Sequence, residues 1–328
     1  MTILVTGSAG HLGEAIVRTL RARGEAVRGL DLNPSDFTDI TGSITDRACV
    51  RESMAGVRAV IHTATLHKPH VATHDRQAFV DTNVTGTLVL LEGAVAAGVQ
   101  AFVFTSTTSA FGAALTPDEG EPAAWITEEV TPVPKNIYGA TKLSAELLCE
   151  LFARTHRLST VVLRTSRFFP EADDDAMART AYLTANMQAN ELLHRRLDVE
   201  DAVQAHLLAV ERAATIGFGR YIVSATTPFD VGDLAALRTD ARSVVRRLFP
   251  DYEALFTRQG WQMVDSIDRV YVNARARAAL GWQPKYDFRH VLTCLSHDAD
   301  FRSPLMRAIG QKGYHAERFD GAPYPVAP

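Results

Sequence analysis

The chain has 328 residues, 46% of them hydrophobic, and a formal net charge of -4 with both signs interspersed. That is enough apolar material for one large domain or two intimate ones, and it lacks the basic footprint of a nucleic-acid binder. No apolar run approaches the ~18–20 residues that span a bilayer, so no membrane partner is expected. The N-terminal run ILV is too short for a secretory signal. Cys49, Cys149 and Cys294 form neither a metal spacing nor a disulfide framework, which makes a reducing cytoplasm the default compartment.

In chain order, TILVT (2–6) is a β-branched run and reads as a buried parallel strand. Gly7, Gly10 and Gly13 follow. Then comes EAIVRTLRARG, with Ala15, Ile16 and Leu20 at helical spacing and Gly24 as a stop. Strand, glycine turn and helix in that order can bind a phosphate. Unpaired N–H groups at the turn and helix N-terminus attract an anion, and glycines let it approach. By itself the triplet could equally be a tight turn. EAVRGLDLN, however, reads as a second strand ending at Asp31, 18 residues past Gly13. A carboxylate there accepts from the adenosine ribose hydroxyls of a dinucleotide and repels a 2′-phosphate, so NAD is favoured over NADP.

The alternation continues. AVIHTAT (59–65) reads as a strand, FVDTNVTGTLVLLEGAVAAG (79–98) as a helix and AFVFTST (101–107) as a strand. YGATKLSAELLCELFARTH (138–156) reads as a long helix and TVVLRTS (160–166) as a strand. This predicts an α/β fold with a doubly wound parallel sheet and right-handed crossovers. After Ser166 the pattern loosens into a polar, partly helical stretch. DVEDAVQAHLLAVERA then reads as an amphipathic helix, GRYIVSA as a strand and PFDVGDLAAL as the start of a capped helix. ARARAALGWQPKYDF closes the folded part. The last residues, rich in Gly, Pro and aromatics, read as an ordered tail draped over the body. His62, His67, His70 and His74 invite a metal reading, but Pro69 interrupts any helix and no Cys or carboxylate set completes a tetrahedron, so no metal is expected.

Read together, these motifs resemble the extended branch of the short-chain dehydrogenase/reductase superfamily, the NAD-dependent epimerase/dehydratases. The resemblance rests on the GxxGxxG turn, on HTAT, DTNVTGT, FTSTTSAFG and ALGWQP, and above all on YGATK, which sets Tyr138 and Lys142 as Tyr-x-x-x-Lys. It implies a Rossmann-type NAD-binding domain over 1–166 and a smaller, partly helical substrate-binding region over 167–328, with 198–225 returning to the sheet. It implies cofactor contacts at Gly7, Gly10, His11, Leu12 and Gly13, at Asp31, at Ser43 and Ile44 beside adenine, at Thr63, Ala64 and Thr65, and at Asn83, Thr105, Tyr138 and Lys142. The family often has Asp where Ser43 stands.

The chemistry explains the Tyr–Lys spacing. Removing hydride from a secondary alcohol needs a base for its proton, and a tyrosine of ordinary pKa near 10 is too protonated at neutral pH. A lysine at i+4 lies on the same helical face, where its charge lowers the tyrosine pKa and holds the nicotinamide ribose. By alignment Thr107 orients the substrate oxygen, although Thr105, Ser106 and Thr108 are neighbouring hydroxyls. Alone, Tyr-x-x-x-Lys could be a surface helix.

Departures narrow the substrate. Family 4,6-dehydratases carry Asp-Glu after the Thr, but Thr108 and Ser109 stand here, so no acid pair can eliminate water. Nucleotide-sugar epimerases usually have Asn where Arg167 stands, and only about thirty residues separate Arg167 from DVEDA. SRFFPEADD resembles the matching stretch of the family's uronate dehydrogenases. His67, Thr108 and Ser109 are expected in the polar substrate wall, Arg167 against an anionic substrate group, and EADDDA (171–176) as a solvated lid face. The resemblance thus implies a sugar epimerase or oxidoreductase acting on a sugar, sugar acid or nucleotide sugar. The alternatives are a simple dehydrogenase that releases NADH and a non-catalytic NAD sensor. It also implies a homodimer through helices 79–98 and 138–156, with Leu88, Leu91, Leu147, Leu148 and Leu151 on the shared face.

Overall fold

A computed structural model describes residues 2–171 and 176–312. Seven parallel strands form one sheet in the order β3-β2-β1-β4-β5-β7-β8. They are β1 (Thr2–Thr6), β2 (Val27–Asp31), β3 (Ile40–Thr41), β4 (Val57–His62), β5 (Ala101–Thr107), β7 (Ser159–Thr165) and β8 (Phe218–Val223). The central strands are continuous apolar runs because helices cover both faces. Ile3, Val5, Ile61, Val103, Val161 and Leu163 point toward helices His11–Ala22 and Val199–Ile216. Leu4, Val60, Phe102, Phe104 and Val162 point toward helices Gly86–Ala96 and Ile137–His156. The two-residue period of the strands divides the core into these layers.

The C-terminal region adds a second core of its own, with Leu193, Leu237, Val245, Phe256 and Phe288 at its centre. It also adds a two-stranded parallel sheet, β6 (Ala124–Ile126) with β9 (Arg269–Tyr271), which the sequence does not announce. The chain stays ordered past Phe288, through helices Phe288–Ser296 and Pro304–Ile309. The expected closure at ALGWQPKYDF is therefore too early. Of the tail expected to drape over the body, 303–312 does pack on helix His11–Ala22, and the residues from Gly313 lie outside the described residues.

Two further boundaries differ. β4 ends at His62 rather than Thr65, because Thr63 turns its hydroxyl onto the Thr6 carbonyl at 2.7 Å and the chain peels off the sheet edge. The helix expected from Phe79 begins at Arg76 and passes through a π-helical turn, Val80–Thr85, before Gly86–Ala96. Such turns concentrate at functional places, and this one carries Asn83.

Candidate active site

The crevice lies along the C-terminal ends of the strands, where a doubly wound sheet binds ligands. At one end is the glycine turn. Gly7 has φ +74, a conformation L side chains rarely adopt, and a Cβ there would lie 2.7 Å from the Ala64 nitrogen. A Cβ on Gly13 would lie 1.9 Å from the Gly7 carbonyl oxygen. The turn is thus closed tightly by residues that tolerate no side chain. Gly10 caps the helix His11–Ala22 without a side-chain hydrogen bond, which suits first-turn N–H groups for an anion. Asp31 ends β2 beside it, accepting from the Ala9 and Asn33 N–H groups at 3.0 and 2.9 Å. A carboxylate has about four lone-pair sites, so both oxygens can still accept. These residues fit a dinucleotide, with pyrophosphate over the turn and adenosine ribose at Asp31.

Several expected cofactor contacts already have protein partners. Ile44 is buried in the core against Gly86, and the Ser43 hydroxyl bonds Thr45. Thr105 is hydrogen-bonded to buried His206 at 2.9 Å. Asn83 fastens the loop after β4. Its carbonyl accepts from Thr65 and from the Leu66 N–H, and its amide donates to the Leu66 carbonyl and to Thr141, all at 2.9–3.0 Å. That bonding pattern makes it a brace between the loop and the Tyr138 helix. His62 is locked in the same layer between Thr6 (2.7 Å) and Thr87 (3.0 Å). Burial, then the nearby Lys142 charge, hold its pKa well below the usual value.

Farther along the edge, Asn136 caps the helix Ile137–His156 by accepting from the Gly139 N–H at 3.1 Å. Tyr138 and Lys142 follow on one face, 8% and 2% exposed. Thr107, the last residue of β5, lies close enough to the Tyr138 hydroxyl for its side chain to lower the Tyr138 pKa. Tertiary partners separate the four neighbouring hydroxyls. Thr105 goes to His206 in one helical layer, Ser106 to Glu146 in the other at 2.6 Å, and Thr108 to the Thr165 carbonyl at 3.4 Å. Thr107 is the one set against Tyr138. Burial pushes the Tyr138 pKa up to about 12, partly offset by the Thr107 side chain. Burial also pulls Lys142 down to about 7, against the influence of Cys149 and Glu146, and the Lys142 ammonium sits 4.1 Å over the Phe104 ring. The protein alone therefore desolvates both groups; the expected lowering of the tyrosine pKa is not a property of the pair by itself.

Sequence reasoning passed over Glu146. Its carboxylate accepts from Ser106 and takes Arg164 in a two-point pair at 3.0 and 2.8 Å, tying the Tyr138 helix to the ends of β5 and β7. The signal was present as an acid at i+4 from Lys142 on a buried helical face.

The substrate end is rich in arginine. Arg167 is two residues past β7, and its Nη1 is 4.0 Å from Glu191. Arg195 and Arg196 reach the same carboxylate at 3.0 and 2.7 Å. Burial opposes the charge on Glu191, but Arg195, Arg196 and Arg167 hold its pKa down to about 2. Ser109 is exposed at the rim, and its N–H donates to Thr107. His67 stacks on Phe169 at 5.4 Å, and Phe169 meets His11 edge-on at 5.3 Å. Glu171, expected on a solvated lid face, is 6% exposed, with Oε1 2.8 Å from His11 Nε2. The correction has a simple cause, since the imidazole supplies a partner inside; Ala172 to Asp175 lie outside the described residues. Among the described residues no three His, Cys, Asp or Glu groups converge as a metal site, and no helix is long and apolar enough to cross a membrane.

A doubly wound parallel sheet with a glycine turn after β1 and an acid at the end of β2 defines a dinucleotide-binding fold. Residues 3–223 match the NAD dependent epimerase/dehydratase family, and the chain belongs to that family. The UDP-glucose 4-epimerase of Rhizobium leguminosarum bv. trifolii is 27% identical over 332 residues, covering 89% of this chain and 95% of that protein. The uncharacterized protein y4nG of Sinorhizobium fredii is 33% identical over 168 residues, half of this chain and 40% of that protein. The chain spans only 36% to 57% of the length of five relatives that are 31–40% identical to it. A short-chain dehydrogenase/reductase superfamily protein from Agrobacterium tumefaciens, solved with bound NAD, superposes with a TM-score of 0.64 at 28% identity, covering 90% of this chain and 96% of that one. NAD is the cofactor of this family.

Proposed function

We propose that the protein is an NAD-dependent sugar epimerase or oxidoreductase that oxidises a secondary alcohol of a sugar, sugar acid or nucleotide sugar. The observation that carries this reading is the burial of Tyr138 and Lys142 one helical turn apart on one face, with the Thr107 side chain close enough to lower the Tyr138 pKa. Tyr138 takes the hydroxyl proton, Thr107 orients the same oxygen, and Lys142 supplies a positive charge that stabilises the tyrosinate as it forms. Bound NAD supplies the hydride acceptor. Gly7, Gly10 and Gly13 admit the pyrophosphate, and Asp31 accepts from the ribose. Asn83 and Glu146 hold the loop and strand ends around these groups.

The arginines favour a specific second reading. Arg167, Arg195 and Arg196 converge on the single carboxylate of Glu191, and a guanidinium pairs well with a carboxylate or a phosphate. This supports an anionic substrate, and the short lid supports a free sugar acid oxidised by a simple dehydrogenase that releases NADH. The Tyr–Lys pair argues against a non-catalytic sensor.

A homodimer is part of the proposal. Leu147 and Leu151 on the Tyr138 helix are 64% and 40% exposed, whereas Leu91 is buried in the chain's own core, so the shared face is narrower than the sequence suggests. Light scattering should report about twice the 35.8 kDa chain mass. The three free cysteines support a reducing compartment.

The functional test is a panel of free sugars, sugar acids and nucleotide sugars, followed by NADH absorbance and product epimers. NADH formed with a sugar acid selects the dehydrogenase, and an epimer without net NADH selects the epimerase. No turnover on any member would contradict the reading.

A further inference from the structure

The helix His11–Ala22 carries an acid in its first turn, Glu14, only 5% exposed. A carboxylate beside a turn that takes an anion repels it, and more strongly where water is scarce. Two cations sit against Glu14. Arg18, one turn on, donates Nε to it at 2.6 Å. The other, Lys312, lies 298 residues away in sequence: its Nζ donates to Glu14 Oε2 and, at 2.9 Å, to the Ala9 carbonyl. Ala9 stands between Gly7 and Gly10, and its own N–H donates to Asp31. The Lys312 backbone N–H donates to Glu171 Oε1 at 3.2 Å, the oxygen that also faces His11. The segment leading to Lys312 is anchored independently. The Ser303 N–H donates to buried Asp198 at 3.1 Å, the Ser303 hydroxyl caps Met306, and helix Pro304–Ile309 packs on helix His11–Ala22.

We propose that Lys312 is a cofactor-positioning residue that completes the phosphate-binding turn from the C-terminal segment, cancelling the charge of Glu14 and, together with Asp31, fixing the two peptides that flank Ala9. Seating of this segment and binding of NAD then favour each other, because each is worth more when the other is in place. The inference rests on the family's NAD site and not on the Tyr138 chemistry. Its test therefore stands even if no sugar is turned over.

The experiment is calorimetric titration of NAD into the full chain, Lys312→Ala, Lys312→Arg, and a chain ending at Gly310. Lys312→Ala and the shortened chain should bind NAD about 10-fold more weakly, within the usual 5–150-fold span of such couplings. Lys312→Arg should stay within about 3-fold, because it restores the charge. Lys312→Ala placed in Glu14→Gln should lose much less, since the charge to be cancelled is gone. If Lys312→Ala and the shortened chain bind NAD within 2-fold of the full chain, the proposal is overturned. It is equally overturned if Lys312→Arg is as weak as Lys312→Ala, or if the loss is undiminished in Glu14→Gln.

Discussion

The two ends of the crevice handle charge in opposite ways. At the glycine turn the buried ionisable side chains have partners: Glu14 is set against Arg18 and Lys312, and His11 against Glu171. Burial opposes the Glu171 carboxylate, yet its pKa ends below the ordinary value because His11 bonds it. At the Tyr138 end burial dominates. Tyr138 rises to about 12, and Lys142, lying over an aromatic ring, falls to about 7. In the proposed function the glycine-turn end holds a ligand in one place, which paired side chains suit. A reacting end has to exchange a proton, and a desolvated pair whose pKa values can be moved by what enters is suited to it. The second arrangement should cost stability, because burial opposes the charged form of Lys142.

Tyr138→Phe separates the ends most sharply. It removes the hydroxyl and keeps the ring, so turnover should fall by about 10²–10⁴, while calorimetry should find NAD affinity within about 2-fold of the parent. Asp31→Asn acts at the other end. Loss of the carboxylate charge should narrow the preference for NAD over NADP by about 10-fold, ~1.4 kcal/mol, with turnover at saturating NAD little changed. Tighter NADP than NAD binding by the unaltered protein would contradict the assignment of Asp31.

Thr107→Val is close to isosteric and removes one hydrogen bond. A loss of about 3- to 10-fold in kcat/KM is expected. Because Thr107 lowers the Tyr138 pKa, the limb on which activity rises with pH should move upward, and a downward shift would count against the contact.

Lys142→Met should abolish turnover yet raise stability. The Lys142 pKa is about 7 folded against an ordinary 10.5, so the unfolded chain binds more protons between those values and the parent gains stability as pH rises through that window. The burial penalty is complete below pH ~7 and gone above ~10.5. Melting curves should therefore place the variant a few degrees above the parent at pH 6–7, with the gap closing toward pH 10. A variant less stable at pH 6 would show that Lys142 is not held at a cost.

What could be read from sequence was local. The glycine turn, Asp31 and the Tyr138–Lys142 pair depend on spacing within one element or between neighbours, and each landed on the expected strand end or helix turn. Thr107 was legible only as one of four hydroxyls, because the choice is made by tertiary partners: His206 takes Thr105 and Glu146 takes Ser106 in opposite layers, which leaves Thr107 at the strand end. The π-helical turn around Asn83 leaves no periodic signature in six residues. Least legible was whatever joins distant segments. β6 pairs with β9 across more than a hundred residues, Glu171 turns inward to His11, and Lys312 closes on Glu14. Each is fixed by tertiary burial of a polar group that needs a partner, and composition alone showed only an acidic run and a Gly/Pro-rich tail.

The division of the crevice is tested most directly by measuring kcat and NAD affinity on Tyr138→Phe, Lys312→Ala and the double variant. Tyr138→Phe should lower kcat alone, Lys312→Ala should weaken NAD binding alone, and the double variant should show both losses unchanged. Weaker NAD binding in Tyr138→Phe by more than about 10-fold, or a fall in kcat at saturating NAD in Lys312→Ala, would mean that the two ends are not separate.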